Sequence, residues 1–221
     1  RLNLDRLNRV LEKTSILLNI SDEELVHLHQ RIRDERDSTI DDDKKRELID
    51  FSRKRLRRIF NNGSFQYGGR YYGGWWQNMP KEYRQFIRLN DKDVVECDFS
   101  GMHINMLYAL ERVPPPAGDV YELPQYSSAV RDYLKRLLLI LINSENSSEA
   151  YRAIMDRRDP DYIELPDEVD SVESIFSAFC DKHRAIRHHF CSGIGIWLQN
   201  LDSQIAEKVM MSFVEMGYFI L

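Results

Sequence analysis

Phe86-Ile87-Arg88-Leu89-Asn90-Asp91-Lys92-Asp93-Val94-Val95-Glu96-Cys97-Asp98-Phe99-Ser100-Gly101 runs from two short apolar segments into the start of a helix. Residues 86–89 and 94–98 read as the strands of a hairpin, and Asn90-Asp91-Lys92-Asp93 reads as its turn. Ser100 and Gly101 open a helix to about Arg112, with Met102, Leu107, Tyr108 and Leu110 for packing. Pro114-Pro115-Pro116 cannot continue it. Asp98 is therefore expected at the end of a strand, just before a helix. A carboxylate held there is either a metal ligand on a rigid support or a turn and capping residue.

Upstream, residues 1–60 are helical in pattern. Leu4, Leu7, Leu11 and Leu18 recur at three- to seven-residue steps, and Ser21 followed by Glu24 is a capping box. Residues 33–45 are charge-dense and read as a solvated turn or an exposed helix end. Arg53-Lys54-Arg55-Leu56-Arg57-Arg58 holds five cations in six positions. It is read either as an exposed helix face or as a helix contacting phosphates, with Arg55 and Arg58 reaching the polyanion. The acidic run Asp41-Asp42-Asp43 offsets it in sequence. Residues 61–80 are broken by Asn61-Asn62-Gly63, Gly68-Gly69 and Gly73-Gly74, between which stand Tyr67, Arg70, Tyr71, Tyr72, Trp75 and Trp76. Such a loop is either a packed surface turn or a base-stacking platform, and Arg70 among the rings tilts it towards nucleic acid.

Downstream, residues 127–143 form a strongly apolar helix capped by Ser127 or Ser128. Arg131, Lys135 and Leu139 fall on one face of it. Two cations stacked on a buried helix either pair with acids or face an anion such as a triphosphate. Residues 146–157 and 170–190 are also helical in pattern. His183, His188 and His189 lack the spacing of a metal site and read as surface or partly buried residues. Residues 197–216 form a long amphipathic helix closed by Gly217, and Tyr218 begins a strand.

The chain has 221 residues, 43% of them apolar, enough for one core and a small appendage. Its 11% aromatic content argues against disorder. The longest apolar run, 137–142, is too short to span a membrane. Three scattered cysteines exclude a disulfide framework and a CxxC zinc site, and a reducing, cytoplasmic setting is expected. A net charge of −5 excludes a uniformly basic nucleic-acid coat but not a local basic surface. Without an initiating methionine the chain reads as an excerpt.

In order and spacing these segments resemble the palm and fingers of family A DNA polymerases. The match comprises Gly69-Arg70, Gln77-Asn78-Met79-Pro80, Arg84 and Arg88, the hairpin, Asp98-Phe99-Ser100, Arg131 to Lys135, and Gln199 introducing the last helix. It covers residues 63–221. Single-subunit phage-type RNA polymerases share this palm and are the neighbouring alternative. The resemblance implies an α+β, helix-rich fold, with a small antiparallel palm sheet and helical fingers. Residues 1–60 would be a thumb-like segment and 61–126 the palm with the primer-end loop. Residues 127–196 would be the fingers, and 197–221 the palm helix with the start of a second catalytic hairpin.

The implied activity is DNA polymerase-like nucleotidyl transfer to a 3′-hydroxyl by a two-metal mechanism. Asp98 and the Phe99 carbonyl would hold two Mg2+ ions, with Mn2+ as a substitute. Arg131 and Lys135 would face the triphosphate, with Lys135 at the transferred phosphate. Arg70, Gln77, Asn78 and Gln199 would touch the primer–template duplex. His103 stands where the family has a glutamate, and its bulk fits a gate favouring deoxynucleotides. Leu139 and Asn143 replace an aromatic pair beside the nucleotide. A second catalytic aspartate is expected after Leu221. The implied partners are primer–template DNA and nucleoside triphosphates, with no membrane, in a bacterium, phage or mobile element. A palm that binds nucleic acid without catalysis, and a plain helical scaffold, are the readings from other classes.

Overall fold

The computed structural model describes residues 2–38, 49–159, 162–218 and 220–221. The run Asp41-Asp42-Asp43 and much of the charge-dense 33–45 segment lie outside the described residues. The chain folds into two compact units. Unit 1 comprises 1–59, 69–98 and 203–221, and unit 2 comprises 60–68 and 99–202.

In chain order the elements are α1 (Leu2–Lys13), β1 (Ile16–Leu18), α2 (Asp22–Ser38), β2 (Arg57–Phe60), β3 (Gly68–Tyr72), α3 (Lys81–Arg84), β4 (Ile87–Leu89) and β5 (Lys92–Asp93). There follow α4 (Met102–Glu111), α5 (Arg131–Asn143), α6 (Ser147–Met155), α7 (Val172–Lys182) and α8 (Gly195–Glu215). The class is helix-rich α+β with small antiparallel sheets.

Unit 1 is organised by the sheet β1-β4-β5. Asn90 and Asp91 both take the left-handed conformation, with φ of 49° and 63°, which is the turn that suits the twist of a two-residue hairpin. Asn90 also binds β1, donating its N–H to the Ser15 carbonyl and accepting the Ser15 N–H at its Oδ1, each at 2.9 Å. β1 pairs antiparallel with β4, Ile16 opposite Leu89 and Leu18 opposite Ile87. The purely helical reading of 1–60 misses this strand, because a three-residue segment carries too little periodicity to announce itself. The capping box before α2 is present. Ser21 Oγ accepts the Glu24 N–H at 3.2 Å, and the Glu24 carboxylate accepts the Ser21 N–H at 2.9 Å.

The basic run is not a helix. Residues 53–56 are irregular and Arg57 opens β2, which pairs with β3. Only Leu56 of this run is deeply buried, so the run lacks the apolar stripe a packed helix needs. Leu56 is held instead by Asn8 of α1. Asn8 Oδ1 accepts the Leu56 N–H at 2.7 Å, and its amide nitrogen donates to the Leu56 carbonyl at 2.9 Å. Asn8→Ala leaves both backbone groups buried and unpaired. It should cost about 2–3 kcal/mol, read as a lower urea midpoint with an unchanged m-value.

The second strand of the hairpin is not the expected 94–98: it is Lys92–Asp93, read from the sequence as half of the turn, and the turn itself is only Asn90-Asp91. The pairing ends at Arg88 opposite Asp93. Continuing that register would set Asp98 opposite Tyr83, and Tyr83 is wound into α3. Residues 94–98 therefore leave the sheet, and Asp98 does not stand on a strand end. The strand expected from Tyr218 is likewise absent among the described residues. Gly217, with φ of 80°, closes α8, and Tyr218 donates its N–H back to the Phe213 carbonyl at 2.9 Å.

In unit 2, α5 buries Tyr133, Leu134, Leu137, Leu138, Leu141 and Ile142. Ser127 caps the 3-10 turn Ser128–Val130 that leads into α5, its Oγ accepting the Ala129 N–H. Helix α4 stops at Arg112, which takes a left-handed conformation ahead of the proline triplet. Gly101, with φ of 60°, admits no side chain, because a Cβ would lie 2.7 Å from Val120 Cγ2. His183, expected at or near the surface, is fully buried at the end of α7. The Val120 carbonyl lies 2.9 Å from its Nε2 and the Tyr108 hydroxyl 3.0 Å from its Nδ1. A carbonyl only accepts, so Nε2 carries the proton and Nδ1 accepts from Tyr108.

Candidate functional site

Two concave surfaces, one in each unit, gather six of the residues singled out by the sequence: Arg55, Gln77 and Asn78 in one, and Lys135, Leu139 and Asn143 in the other. The first, in unit 1, is a cleft of about 1340 Å³. The irregular segment 53–57 supplies Arg53, Lys54, Arg55 and Arg57. The end of β3 supplies Tyr71 and Tyr72, and the turn after it Trp75, Gln77 and Asn78. Two segments separated in sequence, one basic and one aromatic, thus line a single surface. Glu12 and Asp50 are the acids on its wall.

The members of this cleft differ in how committed they are. Arg55 is 71% exposed, with a long contact to Glu12 at 3.4 Å. Arg57 and Asn78 are exposed, and the Tyr72 ring is 42% exposed. Lys54 Nζ donates to the Thr14 carbonyl at 2.9 Å. Gln77 is engaged by its own loop. Its Oε1 accepts the Gly73 N–H at 2.9 Å, and its Nε2 donates to the Tyr71 carbonyl at 3.0 Å. Gln77 therefore shapes the cleft wall. Trp75 and Trp76 are buried, with 2% and 7% exposure, and belong to the unit's core rather than to a stacking platform.

Arg58 is engaged by unit 1 itself. It donates to the Gly69 carbonyl at 2.7 Å, to Glu207 at 2.8 Å and to Ser203 Oγ at 2.8 Å, and it lies over the Tyr71 ring. Tyr71 also donates to Glu207, at 2.9 Å. Burial acts to raise the Glu207 pKa, but hydrogen bonds from Asn3 and Tyr71 and the Arg58 charge hold it below the usual carboxylate range. Burial, then the bond to Glu207, pushes the Tyr71 phenol well above its ordinary value. Arg70, on β3, is half-buried and does not line the cleft.

The second surface, in unit 2, follows the outward side of α5. Lys135, Leu139 and Asn143 lie at i, i+4 and i+8 and line one open groove of about 660 Å³ with Arg136, Asp159 and Tyr162. The face bearing the cations is thus solvated, not buried. Lys135 is exposed, makes no ion pair among the described residues, and stands 5.8 Å from the Tyr121 ring centroid. Arg136, which the sequence did not single out, is paired with Asp159 at 3.4 Å and donates to two carbonyls of α6. No local spacing announced this pairing.

Arg131 is committed elsewhere. It bonds Asp119 and lies over the Tyr121 ring. Burial raises the Asp119 pKa, but the Tyr121 N–H and the Arg131 guanidinium outweigh it and hold the carboxyl below its usual range. The 119–122 loop is gripped again by Lys182, which donates to the Asp119 carbonyl at 2.6 Å and to the Glu122 carbonyl. Arg131 is part of this clasp and does not line the α5 groove. Asn143 folds back, donating to the Leu139 carbonyl at 2.7 Å. Its other side faces Gly195, where a Cβ would lie 2.1 Å from Asn143 Oδ1.

Asp98 and the Phe99 backbone lie on the exposed stretch 95–100 that follows the hairpin. His103 occupies the first turn of α4 and is half-buried. Gln199 is half-buried on α8. Its neighbour Asn200, which sequence reasoning passed over, is buried and donates to the Phe65 and Gly68 carbonyls at 3.0 and 3.1 Å. Neither a protein-family model, nor a curated protein, nor a solved structure matches this chain.

Proposed function

We propose that this chain carries the palm and fingers elements of a nucleotidyltransferase that extends a nucleic-acid 3′-hydroxyl, with DNA synthesis favoured. The observation that carries the reading is the outward face of α5, where Lys135, Leu139 and Asn143 share one open groove. An exposed cation that makes no ion pair among the described residues suits a triphosphate, whose charge grows at the bridging oxygen during transfer. The basic and aromatic cleft of unit 1 supports a nucleic-acid partner.

The donor chemistry fits magnesium. Asp98 offers a carboxylate oxygen and Phe99 a carbonyl oxygen, and Mg2+ takes such hard ligands alongside substrate phosphates. When bound, Mg2+ acidifies the primer hydroxyl and neutralises charge on the departing pyrophosphate. Asp98 holds that charge in place, and Lys135 steadies the phosphates. His103, if it crowds the sugar, excludes a 2′-hydroxyl. The test is primer extension with Mg2+ and either dNTPs or NTPs. Extension by dNTPs supports the reading, and preference for NTPs moves it to the RNA polymerase branch. Lys135→Ala should lower the extension rate about 10²- to 10³-fold.

A second reading, nucleic-acid binding without catalysis, is favoured by the commitment of Arg131 to Asp119 and by the departure of Asp98 from the sheet. Both readings share the cleft. Replacing Arg55 and Arg57 together by Ala should weaken single-stranded DNA binding about tenfold or more and reduce the salt slope by about 1.4. Tyr72→Ala should cost about 1–3 kcal/mol of the same affinity, measured by fluorescence anisotropy across a salt series. Affinities unchanged in both variants would remove the cleft from either reading.

A further inference from the structure

The tight turn after α7 brings two neighbouring imidazoles onto one carboxylate. His188 Nε2 lies 3.2 Å and His189 Nε2 2.8 Å from the same Glu111 Oε1. Glu111 is the last residue of α4, and the histidines belong to the 3-10 turn Arg187–His189, both within unit 2. Successive side chains of a 3-10 turn leave its axis about 120° apart, so the backbone does not impose this convergence. The ring centroids stand only 4.0 Å apart, with a 39° tilt. All three ligand atoms lie within 4.8 Å of one another.

We infer that Glu111, His188 and His189 form a binding site for a borderline divalent cation, with Zn2+ the best fit. Two imidazoles and one carboxylate are zinc-type donors, whereas Mg2+ prefers an all-oxygen set. Ligands about 2.1 Å from a tetrahedral zinc stand about 3.4 Å apart. The nitrogen–oxygen separations of 3.2 and 2.8 Å fall short of that by about 0.2 and 0.6 Å, which side-chain rotation can open to admit the ion. One cation would replace the two ring protons that now point at Glu111. Three protein ligands leave a fourth position for water or a small anion. Occupancy ties the end of α4 to the segment after α7. The site is separate from the α5 groove and does not depend on the reading of that groove.

The spacing of the histidines alone conceals the site, because its third ligand comes from 77 residues upstream of His188. The test is titration of the full chain, stripped with chelator, with Zn2+ against a chromophoric competitor and with Mg2+ as comparison. The expected result is one Zn2+ per chain, and binding at least tenfold weaker in each of Glu111→Gln and His189→Gln. His27→Gln, an exposed histidine of unit 1, should bind as the parent does. Zn2+ should also raise the melting temperature of the parent and not of Glu111→Gln. Equal zinc binding in the parent and the folded variants would overturn the site. So would a folded parent that takes up no Zn2+ at submillimolar concentration.

Discussion

On the polymerase reading proposed above, Asp98→Ala should abolish primer extension, lowering its rate by about three orders of magnitude or more, while the affinity for primed DNA should stay within about twofold. The expectation rests on where Asp98 lies. It sits in the exposed stretch 95–100, beyond the last paired residue of the hairpin, so its side chain contributes little to folding. Substitutions at such positions usually change stability by less than about 0.5 kcal/mol. A loss of activity therefore cannot be assigned to unfolding. The basic cleft holds Arg55 and Arg57 and does not include Asp98, so binding is preserved. Extension kinetics and anisotropy on the same preparations separate the two effects. Undiminished extension by the Ala variant would remove Asp98 from the chemistry. No extension by either protein, with equal DNA binding, would leave the non-catalytic binder as the better account.

The second large effect is on stability in acid. Burial lowers the His183 pKa to about 4, against the bond to the Val120 carbonyl, which raises it, and the nearby Lys182 charge lowers it further. The unfolded chain takes up this proton near its ordinary pKa of about 6.5. Between those values the unfolded state binds a proton that the folded state refuses. Stability is therefore full above about pH 6.5 and is lost as pH falls towards about 4. The loss at the acid end is on the order of 3 kcal/mol. Denaturant unfolding at pH 7 and pH 4.5 measures it, and His183→Gln, which cannot titrate, should lose less over the same interval. Asp119 and Glu111, both with lowered pKa values, add to acid sensitivity in parent and variant alike, so the difference between the two proteins isolates His183. Equal acid losses in both would refute the assignment.

Features that depend on neighbours in the chain were legible in the sequence. The Ser21–Glu24 box, the Asn90-Asp91 turn, the Ser127 cap and the Gly217 stop each satisfy local backbone groups within a few residues. The apolar stripe of α5 is equally local, and it sets Lys135, Leu139 and Asn143 on the opposite side by helical geometry alone. The meeting of a basic run with an aromatic turn was legible as two motifs, though not as one surface.

What only the tertiary structure decided is which polar groups are already committed. Arg58 and Arg131 look alike in the sequence to Arg55 and Lys135. The first two are held by Glu207 and Asp119, and the others face solvent. A guanidinium moved out of water needs a partner, and that partner can come from any distance along the chain, here 149 residues for Arg58. The same holds for His183 with Tyr108 and for His188 and His189 with Glu111. It also holds for the early end of the hairpin, where Arg84 and Tyr83, which would face Cys97 and Asp98, are wound into α3. Sequence by itself determined most of the helices, their caps and the chemical character of each face, because these follow from bonds made nearby. The tertiary fold decided which charges remain available for a ligand, because burial and pairing are set by residues far away in the chain.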